Sequence, residues 1–531
     1  MSIAPPSTRP LAGAAALCAA LLATAPRAAP PAAPDVTYWS APKQMKFSWP
    51  IVPSSNYYEL WFKANDGAAP VKFGELKPWI HHWNNNVSAH LLNWSEARWE
   101  VRACNPSGCA SNGMIDTGST VVDTVGFVKA RNPTAEARFG DAIAVSEDGK
   151  TLAVIADDVP VAGGMAASAY FFRSVGGRWQ EISRFVVADH PRAGDGEGAT
   201  ISLRADGEVV LIGLPTERNG DGVIHLRHHV SEGTWVQDQI FAGTAAHAGA
   251  FSKIDDGGDL IAYSDDFLGG QVHLYVPHDG HWDFARTLSL GGNPDQCTAD
   301  LSGNGAWLLT RCKGNTNVVV MSTGPVFTIE QIPTGLPPGY EQSGISIAGD
   351  GSTIAVGGRP TDVDASGYVP ANWRPQAQVF RRDAAGHFQR VTTFMPDAHQ
   401  STEYAKRSFF GETLRLSHDG GYVAVADPHD SLARAGVWPP AEIGNGGSSE
   451  RAATGAVYLF ERYSGGYRLR RHIGPEVQDG TLEAAIGAVA FGDNGKTLAI
   501  AEPLDDSCHT GVGPYLLSQT PIGGSGAVWL Y

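Results

Sequence analysis

Ten side chains able to do chemistry crowd into three stretches of this chain: Asp362, Asp364 and Trp373, then Asp427, Asp430 and Trp438, then Asp505, Asp506, His509 and Tyr515. Carboxylates accept hydrogen bonds from hydroxyl groups, and aromatic bodies with polar tips make platforms for a sugar or a peptide. Adjacent acids such as Asp505 and Asp506, or Asp157 and Asp158, could instead serve acid–base hydrolysis. His225, His228 and His229 fall together within 223–230, but strand alternation sends neighbours to opposite faces, so no shared metal site is expected. The chain contains no G-x-S-x-G elbow, no H-E-x-x-H zinc helix and no P-loop. His81 and His82 beside Trp83 read as plain surface.

What must position these groups is a repeat. From Phe139 onward an alternating apolar stretch meets a Gly-centred turn and a second apolar stretch follows, as in 142–156, 414–426 and 488–501, with weaker copies at 201–213, 345–358 and around Gly257 and Gly305. Each unit reads as four strands, A to D. In the first unit A is about 141–147, B about 151–156, C contains 169–173 and D begins near Trp179. Asp148-Gly149, Asp206-Gly207, Asp350-Gly351 and Asn494-Gly495 suit an A–B turn that needs positive φ. Aromatics after a C–D turn (Trp179, Trp235, Trp282, Phe388, Tyr467) are expected to pack between neighbouring sheets. A four-stranded unit cannot bury both faces alone, so the units should stack in a ring, a β-propeller of seven blades. The last unit ends on strand C at 526–531, and the missing D strand has a candidate at about 124–130, which would close the ring and remove an exposed edge. The three acid- and aromatic-bearing stretches then fall in long B–C loops of blades five, six and seven, about 359–376, 427–454 and 503–525, and are expected to form one wall beside the central opening.

Across the 531 residues the formal charge is −16, which argues against a nucleic-acid or anionic-membrane partner. Arg9 precedes the apolar run 11–22, too short to span a membrane, with a small-x-small cleavage candidate at Ala23-Thr24-Ala25. Residues 1–29 therefore read as a signal peptide, cut somewhere in 25–34, and the mature protein as secreted or periplasmic. Cys297 and Cys312 are symmetric about Asn304-Gly305, so they should face each other across a hairpin at a distance a disulfide can span, and Cys104 and Cys109 flank the tight turn Asn105-Pro106-Ser107-Gly108. Two local disulfides imply an oxidising compartment. Cys508 is left over.

Residues 35–122 follow a different grammar. Lys46-Phe47-Ser48-Trp49, the strand 57–62 and the strand 98–103 read as half-buried strands of a small β-sandwich. With the FSW strand, the YYELW strand and the WEVRACNPSGC hairpin, this stretch resembles a fibronectin type III domain, which implies a spacer or weak binding module. The repeats of 124–531 resemble FG-GAP blades of the kind found in integrin α-subunit propellers and secreted bacterial proteins. Phe139-Gly140 and Phe410-Gly411 before strand A, AVADP (424–428) and AIAEP (499–503) after strand B, and GAVYLF (455–460) in strand C carry that resemblance. Metal-binding versions of the repeat carry an Asp-rich extended A–B loop. Here Ser146-Glu147-Asp148-Gly149-Lys150 and Ser417-His418-Asp419-Gly420-Gly421 are too short to wrap an ion that needs six to eight oxygens, so no metal is expected.

The expectation is an exported, all-β, two-domain monomer with no cofactor and no membrane span. It would bind a glycan or an extracellular protein noncatalytically through the B–C face, using Asp362, Asp364, Trp373, Asp427, Asp430, Trp438, Asp505, Asp506 and Tyr515. The alternatives are a secreted carbohydrate-active or other hydrolase with acids at the propeller mouth, and a surface-associated scaffold. Two carboxylates converging from different blades onto one pocket would favour the enzyme.

Overall fold

The computed structural model describes residues 29–64, 67–93, 96–231, 233–243, 247–264, 270–290, 297–312, 317–326, 328–336, 340–341, 344–360, 374–396, 408–430, 436–440, 455–474, 486–513 and 521–531. The signal-peptide reading of 1–29 therefore falls almost wholly outside the described residues. None of their helices is long and apolar enough to cross a membrane.

From Ala142 on, the described residues form seven antiparallel sheets in sequence order, which we number one to seven. Sheet one consists of Ala142–Val145, Thr151–Val161, Gly164–Val175 and Arg178–Val186. Sheets two to four repeat the pattern with first strands Thr200–Leu203, Ser252–Ile254 and Cys297–Leu301, and sheet five, with Ile345–Ile347 as its innermost strand, adds the short strand Tyr340–Glu341 beside Thr353–Pro360. Sheet six starts at Leu414–Leu416 and sheet seven at Ala488–Gly492. The first strands contact one another in cyclic order, with that of sheet seven returning to that of sheet one. The arrangement is an all-β propeller-like ring.

The A–B turns explain how so short a unit is held in place. Gly149 sits at φ +68°, and the glycine at the same point of each other A–B turn also has positive φ, including Gly258 rather than its neighbour Gly257 in sheet three. An Asp or Asn one residue before most of these glycines uses its side chain on the turn itself: Asp148 Oδ1 accepts Lys150 N–H, Asp350 Oδ1 accepts Ser352 N–H and Asp419 Oδ1 accepts Gly421 N–H. Among the described residues, backbone bonds then tie neighbouring turns together everywhere except between sheets six and seven. Asp148 N–H donates to Ala205 O, Ala205 to Asp256, Asp256 to Gly303, Asn304 to Gly349, Gly349 to His418, and Asp493 to Glu147. These turns form a belt around one end of the ring.

Strand Gly126–Lys129 pairs antiparallel with Ala527–Leu530, matching Val128 with Val528 and Trp529 with Phe127, as the sequence predicts. The long B–C segments do something unforeseen. Gly436–Trp438 pairs outside strand D of sheet six, and Gly511–Gly513 pairs outside Gly126–Lys129 in sheet seven. Each adds a fifth strand and covers an edge that would otherwise be open.

The C–D aromatics pack between sheets as expected. Trp235 of sheet two lies tilted 4.2 Å from Phe171 of sheet one, and Tyr467 lies 6.3 Å from Phe394 of sheet five. Both disulfides, Cys104–Cys109 and Cys297–Cys312, are present, each joining directly opposed residues of a strand pair, and they fit an oxidising compartment.

The N-terminal unit comprises two sheets, Thr37–Ala41 with Gln44–Ser48 and His82–Asn86, and Val71–Leu76 with Tyr57–Lys63, Arg98–Asn105 and Gly108–Ala110. They enclose Phe47, Trp49, Tyr58, Leu60 and Trp99. This unit is seated against the turn end of sheets six and seven. Lys43 Nζ donates to Lys496 O (2.7 Å), Tyr531 O (2.7 Å) and Thr497 Oγ1 (3.1 Å). His90 Nε2 donates to Gly495 O at 2.8 Å, and Arg470 Nη2 donates to Leu91 O at 2.8 Å.

Candidate functional site

The first strands enclose an axial cavity of about 500 Å³. Counting back from each turn glycine sorts its wall into layers. Seven residues before the glycine stand Ala142, Thr200, Phe251, Thr298, Gly344, Thr413 and Ala488, at the end from which strand A enters. Five before it stand Ala144, Ser202, Lys253, Asp300, Ser346, Arg415 and Ala490. Two before it, Glu147, Asp256, Gly303, Gly349 and His418 reach the cavity from five of the seven turns. Because Ala142 pairs with Ile155, the start of strand A lies beside the end of strand B. The upper layer therefore faces the same side as the B–C segments, and the lower layer faces the turn belt.

In the lower layer a side chain crosses the cavity. His418 of sheet six hydrogen-bonds Asp256 of sheet three at 2.7 Å, with Glu147 of sheet one 3.9 Å from its other ring nitrogen. The bond to Asp256, reinforced by both acids' charge, raises the His418 pKa above the ordinary imidazole value. Gly303 and Gly349 make the crossing possible. A Cβ on Gly349 would lie 2.0 Å from His418 Nε2, and one on Gly303 would lie 2.1 Å from the Asp256 carboxylate. Gly349→Ala is thus expected to swing His418 off Asp256 and return its pKa toward the ordinary value, read from imidazole NMR shifts against pH. It should cost about 1–3 kcal/mol of stability by overpacking.

The middle layer holds the fixed charges. Lys253 Nζ donates to the Asp300 carboxylate, which also accepts Ile347 N–H at 2.9 Å. Arg415 is exposed to the cavity, and its Nη1 donates to Leu414 O (3.0 Å) and Ile345 O (3.5 Å). Asp141 and Glu412 stand at the strand-A entry end, from sheets one and six respectively. Asp141 pairs with Arg138 at 2.9 Å. Burial and the neighbouring Asp141 push Asp157 up to about 6, and its Oδ1 is buried without a hydrogen-bond partner.

The residues singled out from sequence are distributed differently. Asp427 and Asp430 are fully buried. Asp427 accepts Ser408 Oγ–H (2.6 Å) and Phe409 N–H (3.0 Å), and burial pushes its pKa up to about 6. Asp430 accepts Tyr458 O–H at 2.5 Å. Asp505 is also buried, and Lys129 Nζ lies 2.5 Å from it. Trp438 and Asp506 are half-buried, with Trp438 in the fifth strand of sheet six, beyond strand D and away from the axis. His509 packs against Phe127 at 5.5 Å. Asp362, Asp364, Trp373 and Tyr515 lie outside the described residues. None of the described candidates lines the axial cavity.

A pattern accounts for the buried acids. At one register position of strand C stand Tyr170, His225, Tyr458 and Trp529, opposite Val154, Ile212, Val425 and Ile500 of strand B. Each hydrogen-bonds an acid in the last part of strand B or just beyond it: Asp158, Glu217 (2.7 Å), Asp430 (2.5 Å) and Glu502 (2.9 Å). The acids latch the B–C segments onto the sheets. His225 is consumed by this latch, whereas His228 pairs with Asp238 and His229 with Glu208.

No protein-family model matches the chain, and no curated protein matches it. Among solved structures it is similar to a Lactobacillus plantarum protein (12% identity, 79% of this chain and 97% of that one, TM-score 0.41). It is also similar to the WD40 domain of Toxoplasma gondii coronin (10%, 76% and 84%, TM-score 0.43). A third is the Pseudomonas aeruginosa periplasmic gluconolactonase (13%, 79% and 96%, TM-score 0.36). No residue role or activity is carried over from likenesses this distant.

Proposed function

We propose that the protein is an exported, noncatalytic glycan-binding propeller. In this reading the seven sheets are seven FG-GAP-like blades spanning 124–531, and residues 35–122 are a fibronectin type III-like module after a signal peptide. The two-sheet arrangement of that module, three strands against five, and the repeat unit around each turn glycine support the assignment. The observation that carries the functional reading is the axial cavity. It is small, polar and layered, with threonine hydroxyls above fixed charges, and His418 crosses its turn end. A saccharide end entering from the B–C face would meet hydroxyl and charged partners in a recess of suitable size. The long B–C segments, including Asp362, Asp364, Trp373, Asp506 and Tyr515, would supply contacts around the mouth. An extracellular protein is the other partner class that such a face suits.

Filling the cavity tests this. Thr298→Trp places a large ring in the upper layer at an exposed position, so the melting temperature should hold while glycan binding falls at least about tenfold. Undiminished binding by the folded variant would remove the cavity from the reading.

The hydrolytic reading draws on one specific feature: Asp141 and Glu412 reach the same cavity from two sheets, with Asp157 behind Asp141 near neutrality. Cleavage of a bound glycan that is lost in Glu412→Gln would favour that reading over simple binding.

A further inference from the structure

Arg415 is the unusual member of the middle layer. The other charged pair of that layer, Lys253 and Asp300, neutralises itself, and Asp300 is further held by backbone N–H groups. Deeper in the cavity, His418 is bonded to Asp256. At the rim, Asp141 is matched by Arg138. Arg415 has no carboxylate partner among the described residues, and its hydrogen bonds there run from Nη1 to the carbonyls of Leu414 and Ile345. Those two bonds steady the guanidinium against the wall and leave its Nε and Nη2 edge without a described partner. An arginine edge of this kind matches a carboxylate in a two-point, planar fashion that a lysine cannot reproduce. One layer above stand the hydroxyls of Thr413 on the same strand and Thr298 across the ring.

We propose that Arg415 binds the carboxylate of an acidic sugar, a uronic acid residue at the end of a glycan, with the threonine layer taking its hydroxyl groups. This rests on the cavity being the ligand site. It goes further in naming the charge of the ligand and the residue that selects it. Neutral hexoses of the same stereochemistry would leave the guanidinium edge unpaired and bind more weakly.

Isothermal titration of the full chain with galacturonate, glucuronate, galactose, glucose and acetate tests the assignment, alongside Arg415→Gln and Arg415→Lys. Uronates should bind at least about tenfold more tightly than the matching hexoses, and Arg415→Gln should remove that preference. Arg415→Lys, which retains the positive charge, should recover only part of it and serves if the glutamine variant does not fold. Acetate binding as tightly as the uronates would show a bare carboxylate site and overturn the sugar assignment. Equal binding of hexose and uronate, or an undiminished preference in folded Arg415→Gln, would overturn the role of Arg415. If Thr298→Trp abolishes binding of a neutral glycan while uronates do not bind, the cavity reading stands and this one falls. If no saccharide binds at all, both fall.

Discussion

Replacing Lys129 with methionine is expected to lower stability by about 3–5 kcal/mol, the usual cost of stripping one partner from a buried ion pair. Lys129 is fully buried on the strand that closes the last sheet, and its Nζ reaches Asp505 Oδ1 at 2.5 Å and Ser507 Oγ at 3.2 Å. Burial lowers its pKa, against the pull of Asp505. Removing the ammonium leaves Asp505 buried beside Glu502, whose own pKa burial and Asp505 push up to about 8. The variant therefore loses the pair and forces two acids together at the seam. Urea unfolding at neutral pH measures the loss, and the double variant Lys129→Met with Asp505→Leu should recover most of it. A single variant costing under about 1 kcal/mol would mean that the seam does not depend on this pair.

The second large effect is an acid weakness where the N-terminal unit meets sheets six and seven. His90 is wholly buried, donates Nε2–H to Gly495 O and leaves Nδ1 buried without a partner, so it folds as the neutral imidazole. Burial, with Lys43, Arg470 and Arg471 nearby, lowers its pKa to about 3. Below about 6.5 the unfolded chain therefore binds a proton that the folded chain refuses. The stability tied to His90 is complete above that pH and drains away as pH falls toward 3, by up to roughly 4 kcal/mol. Lys43, lowered to about 7 by burial, has the same sign but a higher window, between about 10.5 and 7. His90→Gln retains a donor for Gly495 and removes the titration, so its stability should decline less steeply between pH 6.5 and 3.5. Parallel pH profiles for variant and parent would contradict this assignment.

Much of the ring was legible in the sequence because its signals are local. Turn glycines need positive φ, apolar alternation marks the strands, and 124–130 reads as a partner for the strand at 526–531. The two hairpin disulfides were legible for the same reason, since opposition across a turn can be counted. The site was not, because its groups come from different repeats. Lys253, Asp300, Arg415 and His418 lie far apart in sequence, and each sits in a short apolar or turn segment that attracts no attention by itself. Aligning the repeats on their glycines exposes them, since positions five before the turn bear charges in only three of the seven copies. The surroundings of the loop acids were not legible either. Asp427, Asp430 and Asp505 sit in the polar loop stretches, yet all three are buried and bonded within the fold, to Ser408, to Tyr458 of strand C and to Lys129 of the closing strand respectively.

The most direct test of the central claim is a glycan-array screen of the whole protein, run with calcium and again with a chelator. Selective binding that survives chelation and is lost in Thr298→Trp is the predicted result. Absence of any glycan binding, or binding that disappears with the chelator, would contradict a metal-independent saccharide site in the axial cavity.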